Sequence, residues 1–208
     1  MLQRLVHDAA ALGVALTEHD AARLHQLLRE LAHWNRTFNL TGITDMEGMI
    51  SHHLLDSLAV HRYLHGSAVA DVGTGAGFPG LPLALVNPER RFTLIDSNGK
   101  KIRFVSHAVR TLGLMNVEPL QARVEALRPE RPFDTVLARA FAPLPQLLAA
   151  VAPLCGADTR VLALKGKWPQ EELEGMPPGW RLADSHTLTV PGLAQARCLL
   201  VLMSGVSH

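Results

Sequence analysis

The sequence predicts an α/β protein: a Rossmann-like seven-stranded sheet with a small N-terminal helical appendage. The first observation is a short apolar run, 69–72, which ends in the glycine-dense turn 73–80 and is followed at once by an apolar helical pattern. The second is that strand-like and helix-like segments alternate from residue 68 onward, which implies right-handed crossovers and a parallel sheet. We expect the appendage to span residues 1–64 and the sheet domain residues 65–208.

Helical periodicity dominates the appendage. The stretch 17–20 is typical of an N-cap with an acidic first turn, and leucines then repeat at helical spacing up to Trp34. The stretch 44–47 fits a capping box before a second helix. Between these helices lies W-N-x-x-F-N-L-T at 34–41, which mixes aromatic side chains with amides. Its plain interpretation is a loop with buried aromatic rings, in which Asn39 caps a backbone group.

The sequence from residue 68 onward predicts seven strands. Beyond Lys167 the alternation stops, and two strand-like runs separated by Pro191-Gly192 predict an antiparallel hairpin at the sheet edge. The predicted strands are 68–72, 91–96, 117–121, 133–138, 159–165, 180–190 and 196–203, and the predicted helices of this part are 79–87, 98–112 and 143–154.

The glycine turn departs from the dinucleotide-binding fingerprint. Its third glycine is Gly77, whereas G-x-G-x-x-G requires glycine at the position of Phe78. Asp71 stands just before the turn, where its carboxylate would repel a pyrophosphate and suit a cationic ligand. S-adenosylmethionine is such a ligand, because it carries a sulfonium and an amino group and no phosphate. An ordinary strand–helix turn is the alternative.

Charged residues stand where the predicted parallel strands end, and those ends line one crevice. Asp96 ends the second strand and can accept hydrogen bonds from both ribose hydroxyls of an adenosine, a role that NAD would use equally, or it can cap the next helix. Arg123, Arg139 and Lys165 place three cations on the same rim. A surface salt bridge is the alternative role of Arg139.

The predicted helix 98–112 carries a basic stripe. Lys100, Arg103, His107 and Arg110 follow each other at spacings of three and four. Such a stripe is usually a solvated face. Beside a basic crevice it becomes a candidate phosphate track for a nucleic acid.

Two strings resemble a known family. D-V-G-T-G-A-G-F-P-G at 71–80 resembles the cofactor loop of class I methyltransferases, which use S-adenosylmethionine. Among them the chain is most similar to the 16S rRNA (guanine-N7) methyltransferase G family, also known as glucose-inhibited division protein B, whose signature includes W-N-x-x-F-N-L-T. The resemblance extends over about 34–167 and implies a class I methyltransferase sheet. It also implies a bacterial cytoplasmic enzyme that methylates N7 of a guanosine in the decoding region of 16S rRNA.

The resemblance also implies site residues. The turn 121–125 resembles the family's adenine-contact turn, in which the backbone of Val124 and Glu125 would face the adenine. Asn39 and His53 would lie near the reaction site as guanine or phosphate contacts. The expected cofactor-binding residues are Asp71, Gly73, Gly75, Gly77, Phe78, Asp96, Val124, Glu125 and Arg139, and the expected catalytic residues are Asn39, His53, Arg123 and Lys165.

Features that the sequence lacks argue against two other kinds of base methylation. The fourth strand is not followed by the Asn/Asp-Pro-Pro-aromatic motif that serves to methylate exocyclic amines. Cys155 and Cys198 do not stand at the carboxyl end of a strand, which argues against a cysteine nucleophile for pyrimidine C5. Guanine N7 is an in-plane acceptor with a free lone pair, so its methylation needs positioning and no general base.

Composition limits the partners. The net charge of +1 over 208 residues means that a nucleic-acid partner would need a local basic site. Two cysteines and the absence of a signal-peptide pattern lead us to expect a reducing cytoplasm. No apolar run approaches the ~20 residues of a membrane span. The histidine pairs 52/53 and 61/65 are not completed by further ligands, so we expect no metal.

The expected partner is 16S rRNA, in the small ribosomal subunit or a precursor, bound by a monomeric enzyme. Two alternatives stay open. A NAD-dependent oxidoreductase would need a substrate domain after the glycine turn and a hydride-transfer partner, and the sequence offers neither. A non-catalytic RNA-binding module that keeps a cofactor fold is the other alternative, and a turnover assay separates it from an enzyme.

Overall fold

A computed structural model describes residues 1–205. In this part of the chain seven strands form a single sheet: β1 (Ala68–Val72), β2 (Arg91–Asp96), β3 (Val117–Gln121), β4 (Phe133–Arg139), β5 (Cys155–Lys165), β6 (Trp180–Leu188) and β7 (Arg197–Ser204). Their order across the sheet is β3-β2-β1-β4-β5-β7-β6. The strands β1 to β5 pair in parallel, and β7 is antiparallel to both β5 and β6.

The predicted seven-stranded α/β sheet is confirmed. The strand β5 begins at Cys155, four residues earlier than expected, because Cys155 already pairs with Phe133 of β4 ahead of an irregularity in the pairing. The terminal hairpin is antiparallel as predicted, and β7 is its inner strand. The physical reason is burial, because Leu199, Leu200 and Leu202 of β7 are fully buried, whereas β6 is largely exposed along its length.

Eight α-helices lie within residues 1–205. They are α1 (Leu2–Ala11), α2 (Glu18–Phe38), α3 (Met46–Met49), α4 (Asp56–Leu58), α5 (Gly80–Val86), α6 (Gly99–Leu112), α7 (Leu144–Val151) and α8 (Gln170–Glu174). A π-helical segment, Ile50–Leu55, joins α3 to α4 without a break. None of these helices is both long enough and apolar enough to cross a membrane.

Helix starts follow local chemistry. The predicted N-cap of α2 is confirmed, because Thr17 and Asp20 form a reciprocal capping box. The predicted capping box at 44–47 is wrong by one residue. The carboxylate of Asp45 accepts the hydrogen bond from the backbone N–H of Gly48 at 2.6 Å, so Asp45 is the N-cap of α3. A carboxylate at this position also complements the positive end of the helix dipole.

Two hydrophobic clusters cover the two faces of the sheet. Alternation along β1 divides its side chains, with Val69 in one cluster and Ala70 and Val72 in the other. The first cluster joins the leucines of α1 and α2 to α5 and α6, and the second contains α7. The core therefore continues across residue 64, and the division of the chain at that residue stays a prediction.

Aromatic rings connect the appendage to α6. The ring of Trp34 lies 5.7 Å from that of Phe104, edge to face, and 5.0 Å from the imidazole of His107. The Nε2 atom of His107 also lies 2.7 Å from a carboxylate oxygen of Glu30. Trp34 and Phe38 are partly buried, with their centroids 5.3 Å apart, so the motif's aromatics serve this packing.

We predict that Phe104→Ala destabilises the protein by about 3–5 kcal/mol, because it leaves a cavity where the ring is fully buried between α6 and α2. Urea unfolding followed by circular dichroism measures the change. Met115→Ala is the control, since Met115 is 96% exposed and its replacement should stay within about 0.5 kcal/mol. A loss below about 1 kcal/mol for Phe104→Ala would show that the appendage is not held by this contact.

Candidate active site

The turn between β1 and α5 brings the backbone close to other elements. Gly73, Gly75 and Gly77 have φ angles of +66°, +62° and +87°. A Cβ atom on Gly73 would lie 2.5 Å from Cδ2 of Phe141, and one on Gly77 would collide with the side chain of Leu81. Both positions therefore require glycine for space as well as for conformation.

Asp71 organises this turn from inside the protein. Its Oδ2 atom accepts hydrogen bonds from the Thr74 hydroxyl at 2.6 Å and from the backbone N–H of Gly80 at 2.9 Å. Its Oδ1 atom is buried and has no hydrogen-bond partner within residues 1–205. Burial raises the pKa of Asp71 to about 6, against the hydrogen bonds from Thr74 and Gly80, which lower it. The predicted role of Asp71 in cofactor binding stays a prediction.

A first pocket of about 350 Å³ opens beside the turn. Asp96 lies in its wall and also supports the turn, because Oδ2 accepts the N–H of Gly75 at 3.0 Å and Oδ1 accepts that of Asn98 at 2.8 Å. A carboxylate has about four acceptor sites, so Asp96 keeps capacity for further donors. The other residues that line the first pocket include Gly73, Lys101, Arg123, Val124, Glu125 and Phe141.

A second pocket of about 370 Å³ adjoins the first, and Ala140 lines both. Ala140 has a φ of +50°, which is rare for a residue with a Cβ atom and marks the sharp turn after β4. The polar residues of the second pocket are His52, His53, Asp56, Arg139, Lys165 and Arg197. They come from the π-helical segment, from α4 and from three different strands.

Cations exceed carboxylates in the second pocket. The buried carboxylate of Asp56 accepts hydrogen bonds from Arg139 at 3.1 Å and from Nε of Arg197 at 3.0 Å. Nζ of Lys165 lies 2.6 Å from an oxygen of Glu172. Three cations thus face two carboxylates, and the guanidinium groups keep further N–H donors. The pocket is suited to an anionic or acceptor-rich ligand.

His53 lines this pocket with an uncharged imidazole ring. Burial lowers its pKa to about 4, and the charges of Arg139 and His52 act in the same direction, so the imidazole is uncharged at pH 7. Its ring stacks on Phe78 with centroids 4.8 Å apart, and its Nε2 lies 2.9 Å from Oγ1 of Thr41. His53 is therefore held by contacts on its face and at its edge.

The W-N-x-x-F-N-L-T stretch positions Thr41 for that contact. The side-chain amide of Asn35 donates to the carbonyl of Thr41 and accepts from its N–H, both at 2.9 Å. The Thr41 hydroxyl accepts in turn from the N–H of Ile43 at 3.1 Å. Asn39 is the C-cap of α2, with φ of +51°, and its side chain is exposed and lines neither pocket.

The structure groups two arginines differently from the sequence-based expectation. Arg123, expected with the substrate residues, lines the first pocket beside Val124. Arg139, expected at the cofactor, lines the second pocket because Asp56 holds its guanidinium there. Lys165 and His53, also expected on the substrate side, both line the second pocket. None of these placements tests a role, and the roles stay predictions.

Sequence reasoning missed Asp56, Arg197, Asn35 and Thr41. Asp56 could have been noticed as a single acid inside the apolar stripe 54–58. Asn35 and Thr41 could have been noticed because both belong to the W-N-x-x-F-N-L-T motif. Arg197 carried no local signal, because its partner is 141 residues away. Among residues 1–205, no three His, Cys, Asp or Glu side chains come together as a metal site would need.

We predict that Asp71→Asn changes the pH dependence of stability. The folded-state pKa is raised from 3.8 to about 6, so the stability that the protonated carboxyl contributes is complete below pH 3.8 and is lost as pH rises through 6. Asparagine keeps an oxygen acceptor without the charge. The free energy of unfolding of the variant, relative to the wild type, should therefore rise by about 2 kcal/mol between pH 4.5 and pH 8 in urea titrations.

Asp134→Asn is the control for this prediction. Backbone N–H groups of Ala68 and Ser67 lower the pKa of Asp134, so its ionised form stabilises the fold and the relative stability of that variant should fall as pH rises. A pH-independent difference for Asp71→Asn would contradict the raised pKa.

Comparisons with known proteins confirm the predicted family. A family model described as rRNA small subunit methyltransferase G matches residues 20–201. The chain is 45% identical to the ribosomal RNA small subunit methyltransferase G of Aeromonas hydrophila, over 96% of this chain and 94% of that protein. It is 46% identical to the protein of the same name from Pseudomonas aeruginosa, over 95% and 93%.

Solved structures show the same fold. A SAM-dependent methyltransferase from Aquifex aeolicus superimposes with a TM-score of 0.59 at 20% identity, covering 79% of this chain and 97% of that one. The tRNA methyltransferase TrmK of B. subtilis gives 0.58 at 17% identity, covering 72% and 65%. The class I fold is thus shared at low identity, while the rRNA methyltransferases match at high identity along nearly the whole length. This chain belongs to the rRNA small subunit methyltransferase G family.

Proposed function

We propose that this protein transfers a methyl group from S-adenosylmethionine to N7 of a guanosine in the decoding region of 16S rRNA. The observation that carries the proposal is the pair of pockets that meet at Ala140, the first beside the glycine turn and the second rich in cations. A methyl donor and an RNA base would then lie side by side at that meeting point. Membership of the rRNA methyltransferase family supports the same assignment.

The first pocket fits S-adenosylmethionine. Gly73 and Phe141 line the pocket side by side, Asp96 keeps acceptor capacity for ribose hydroxyls, and the 3₁₀ turn with Val124 and Glu125 would face the adenine. The buried, unpaired Oδ1 of Asp71 adds negative charge behind the turn, which favours a cationic ligand. NAD, the alternative, would bring a pyrophosphate to this acidic turn.

The reaction needs no proton transfer. When bound, S-adenosylmethionine supplies an electrophilic methyl group on its sulfonium. The lone pair of guanine N7 forms the new bond to the methyl carbon, while the electron pair of the broken carbon–sulfur bond returns to sulfur and the positive charge passes to the guanine ring. His53 is uncharged and held by Thr41 and Phe78, so its proposed part is to shape the wall of the pocket.

The second pocket would hold the target nucleotide. Lys165, Arg139 and Arg197 offer positive charge and N–H donors for phosphate or carbonyl oxygens. Asn39 lies at the exposed end of α2 and would contact RNA outside the pocket. The exposed side chains of Lys100, Arg103 and Arg110 on α6 would extend the contact along phosphates, whereas His107 is occupied by Glu30.

We extend the proposal to the biological setting. The substrate would be 16S rRNA within the small ribosomal subunit or a precursor, and the enzyme a monomer in the cytoplasm. Incubating labelled S-adenosylmethionine with small subunits from a strain that lacks the enzyme tests the whole proposal. Label in 7-methylguanosine is the expected result. Label on an exocyclic nitrogen, a ribose or a pyrimidine would contradict it, and RNA binding without label would support the non-catalytic alternative.

We predict that Asp96→Ala weakens the binding of S-adenosylhomocysteine, because the ribose hydroxyls lose a charged acceptor. Such a hydrogen bond is worth roughly 1.5–3 kcal/mol, which is about 10- to 150-fold in Kd. Isothermal titration calorimetry measures this, and RNA affinity should stay unchanged. Lys165→Ala is the matched comparison: its cofactor affinity should stay unchanged, and its methyl transfer should be lost. Equal loss of both affinities in Asp96→Ala would assign Asp96 to the fold through its contact with Gly75.

We predict that neutralising Lys100, Arg103 or Arg110 to Gln weakens RNA binding regardless of base sequence. Each lost phosphate contact should flatten the slope of log affinity against log salt by about 0.7–0.9. Arg91→Gln is the control, because Arg91 is exposed at the start of β2, outside α6. An unchanged slope in all three variants would leave α6 as a solvated face and move the RNA track elsewhere.

A further inference from the structure

One aromatic ring stands in solvent beside the second pocket. The exposed large apolar side chains of residues 1–205 are Met1, Leu2, Met115 and Trp168, and Trp168 alone of these is aromatic, with 47% exposure. Trp168 follows the segment Lys165-Gly166-Lys167 between β5 and α8. Lys165 and Gly166 line the second pocket, and two residues of chain span at most about 7 Å. The backbone of Trp168 therefore lies within about 7 Å of Gly166, at the rim of that pocket.

The ring is held by its edge. Its Nε1–H donates to the side-chain oxygen of Gln170 at 3.0 Å, and the amide of Gln170 donates in turn to Glu174 at 2.7 Å. On the other side of the loop, Lys165 is tied to Glu172 at 2.6 Å and to the carbonyl of Ala142 at 3.1 Å. These contacts anchor the loop at both ends, so a ligand that binds the ring loses little entropy in ordering it.

The ring also lacks a stacking partner of its own. No aromatic ring or cation of residues 1–205 stacks on Trp168, and it belongs to neither hydrophobic cluster. Packing in the core therefore does not account for a tryptophan at this position. An exposed indole beside a polar pocket is suited to bind a ligand that has a flat, apolar face.

Charge around the ring selects the class of ligand. Lys167 is exposed next to it, and Lys165, Arg139 and Arg197 make the adjoining pocket cationic. Aromatic rings interleaved with cations bind single-stranded nucleic acid, in which bases stack on the rings and phosphates meet the cations. A guanosine must leave its base stack for N7 to reach a methyl donor in the first pocket, and its neighbour then loses a stacking partner.

We propose that Trp168 is a stacking platform for an unpaired RNA base next to the target guanosine. This inference rests on the proposed function, since it names the nucleotide that the same site contacts beside its target. The platform would hold the RNA strand in its opened form while Lys167 neutralises the flanking phosphate.

Two variants test the platform. Trp168→Leu removes the π face and keeps an apolar side chain, and Trp168→Phe keeps a π face without the indole N–H. The readouts are the Kd for a short single-stranded RNA that contains the target guanosine, measured with S-adenosylhomocysteine present, and kcat/KM for methyl transfer to small subunits. Trp168→Leu should weaken RNA binding by about 5- to 150-fold, and Trp168→Phe should restore most of it. Cofactor affinity should not change in either variant.

Met115→Leu is the matched control, since it alters an exposed apolar side chain on the opposite edge of the sheet and should leave RNA binding unchanged. Unchanged RNA affinity in Trp168→Leu would overturn the inference, and so would equal losses in the Leu and Phe variants, which would assign the effect to the indole N–H. Weaker binding to subunits with unchanged binding to free RNA would mean that the ring contacts a protein, and would also overturn it. If the wild-type protein binds RNA but does not methylate subunits, the proposed activity is refuted. The RNA affinities of the Trp168 variants would still decide whether Trp168 is a stacking platform.

Discussion

Two carboxylates hold the glycine turn between β1 and α5, which lines the first pocket through Gly73 and supports the second through the stacking of Phe78 on His53. Asp71 binds Thr74 and Gly80 from within the protein, and Asp96 binds the N–H of Gly75 from the neighbouring strand. Burying Asp71 is unfavourable, as its raised pKa of about 6 indicates, and the hydrogen bonds to the turn offset part of that cost. The turn thus presents bare backbone to the first pocket at the carboxyl ends of β1 and β2.

A third buried carboxylate joins parts of the chain that are distant in sequence. Asp56 follows the π-helical segment Ile50–Leu55 and accepts hydrogen bonds from Arg139 at the end of β4 and from Arg197 at the start of β7. Because each partner neutralises the other in a poorly solvated place, removing one would leave a buried charge uncompensated. The appendage is therefore a wall of the second pocket as well as a cover for the sheet.

The arrangement suits a reaction that relies on position. The one imidazole buried in the second pocket, His53, has its pKa lowered to about 4 and is held by Thr41 and Phe78. A neutral ring in fixed orientation shapes a binding surface, and N7 of guanine presents its lone pair without prior deprotonation. Under the proposed function, the main task of the fold would then be to bring the methyl donor and the target base together at Ala140, which lines both pockets.

Local patterns in the sequence determined the strands, most helix boundaries, the glycine turn and the position of Asp96, because strand alternation, helical periodicity and turn chemistry depend on neighbours a few residues apart. Tertiary structure alone decided which pocket each cation enters. Arg139 turns toward Asp56, 83 residues away, and Arg197 meets the same carboxylate from 141 residues away, so no window of sequence contains both partners. It likewise decided that Thr41 supports His53, since that contact forms only when the end of the motif and the π-helical segment pack together, whereas the hydrogen bonds between Asn35 and Thr41 are local. The physical reason is that burial and ion pairing act between surfaces, and surfaces exist only once the chain has folded.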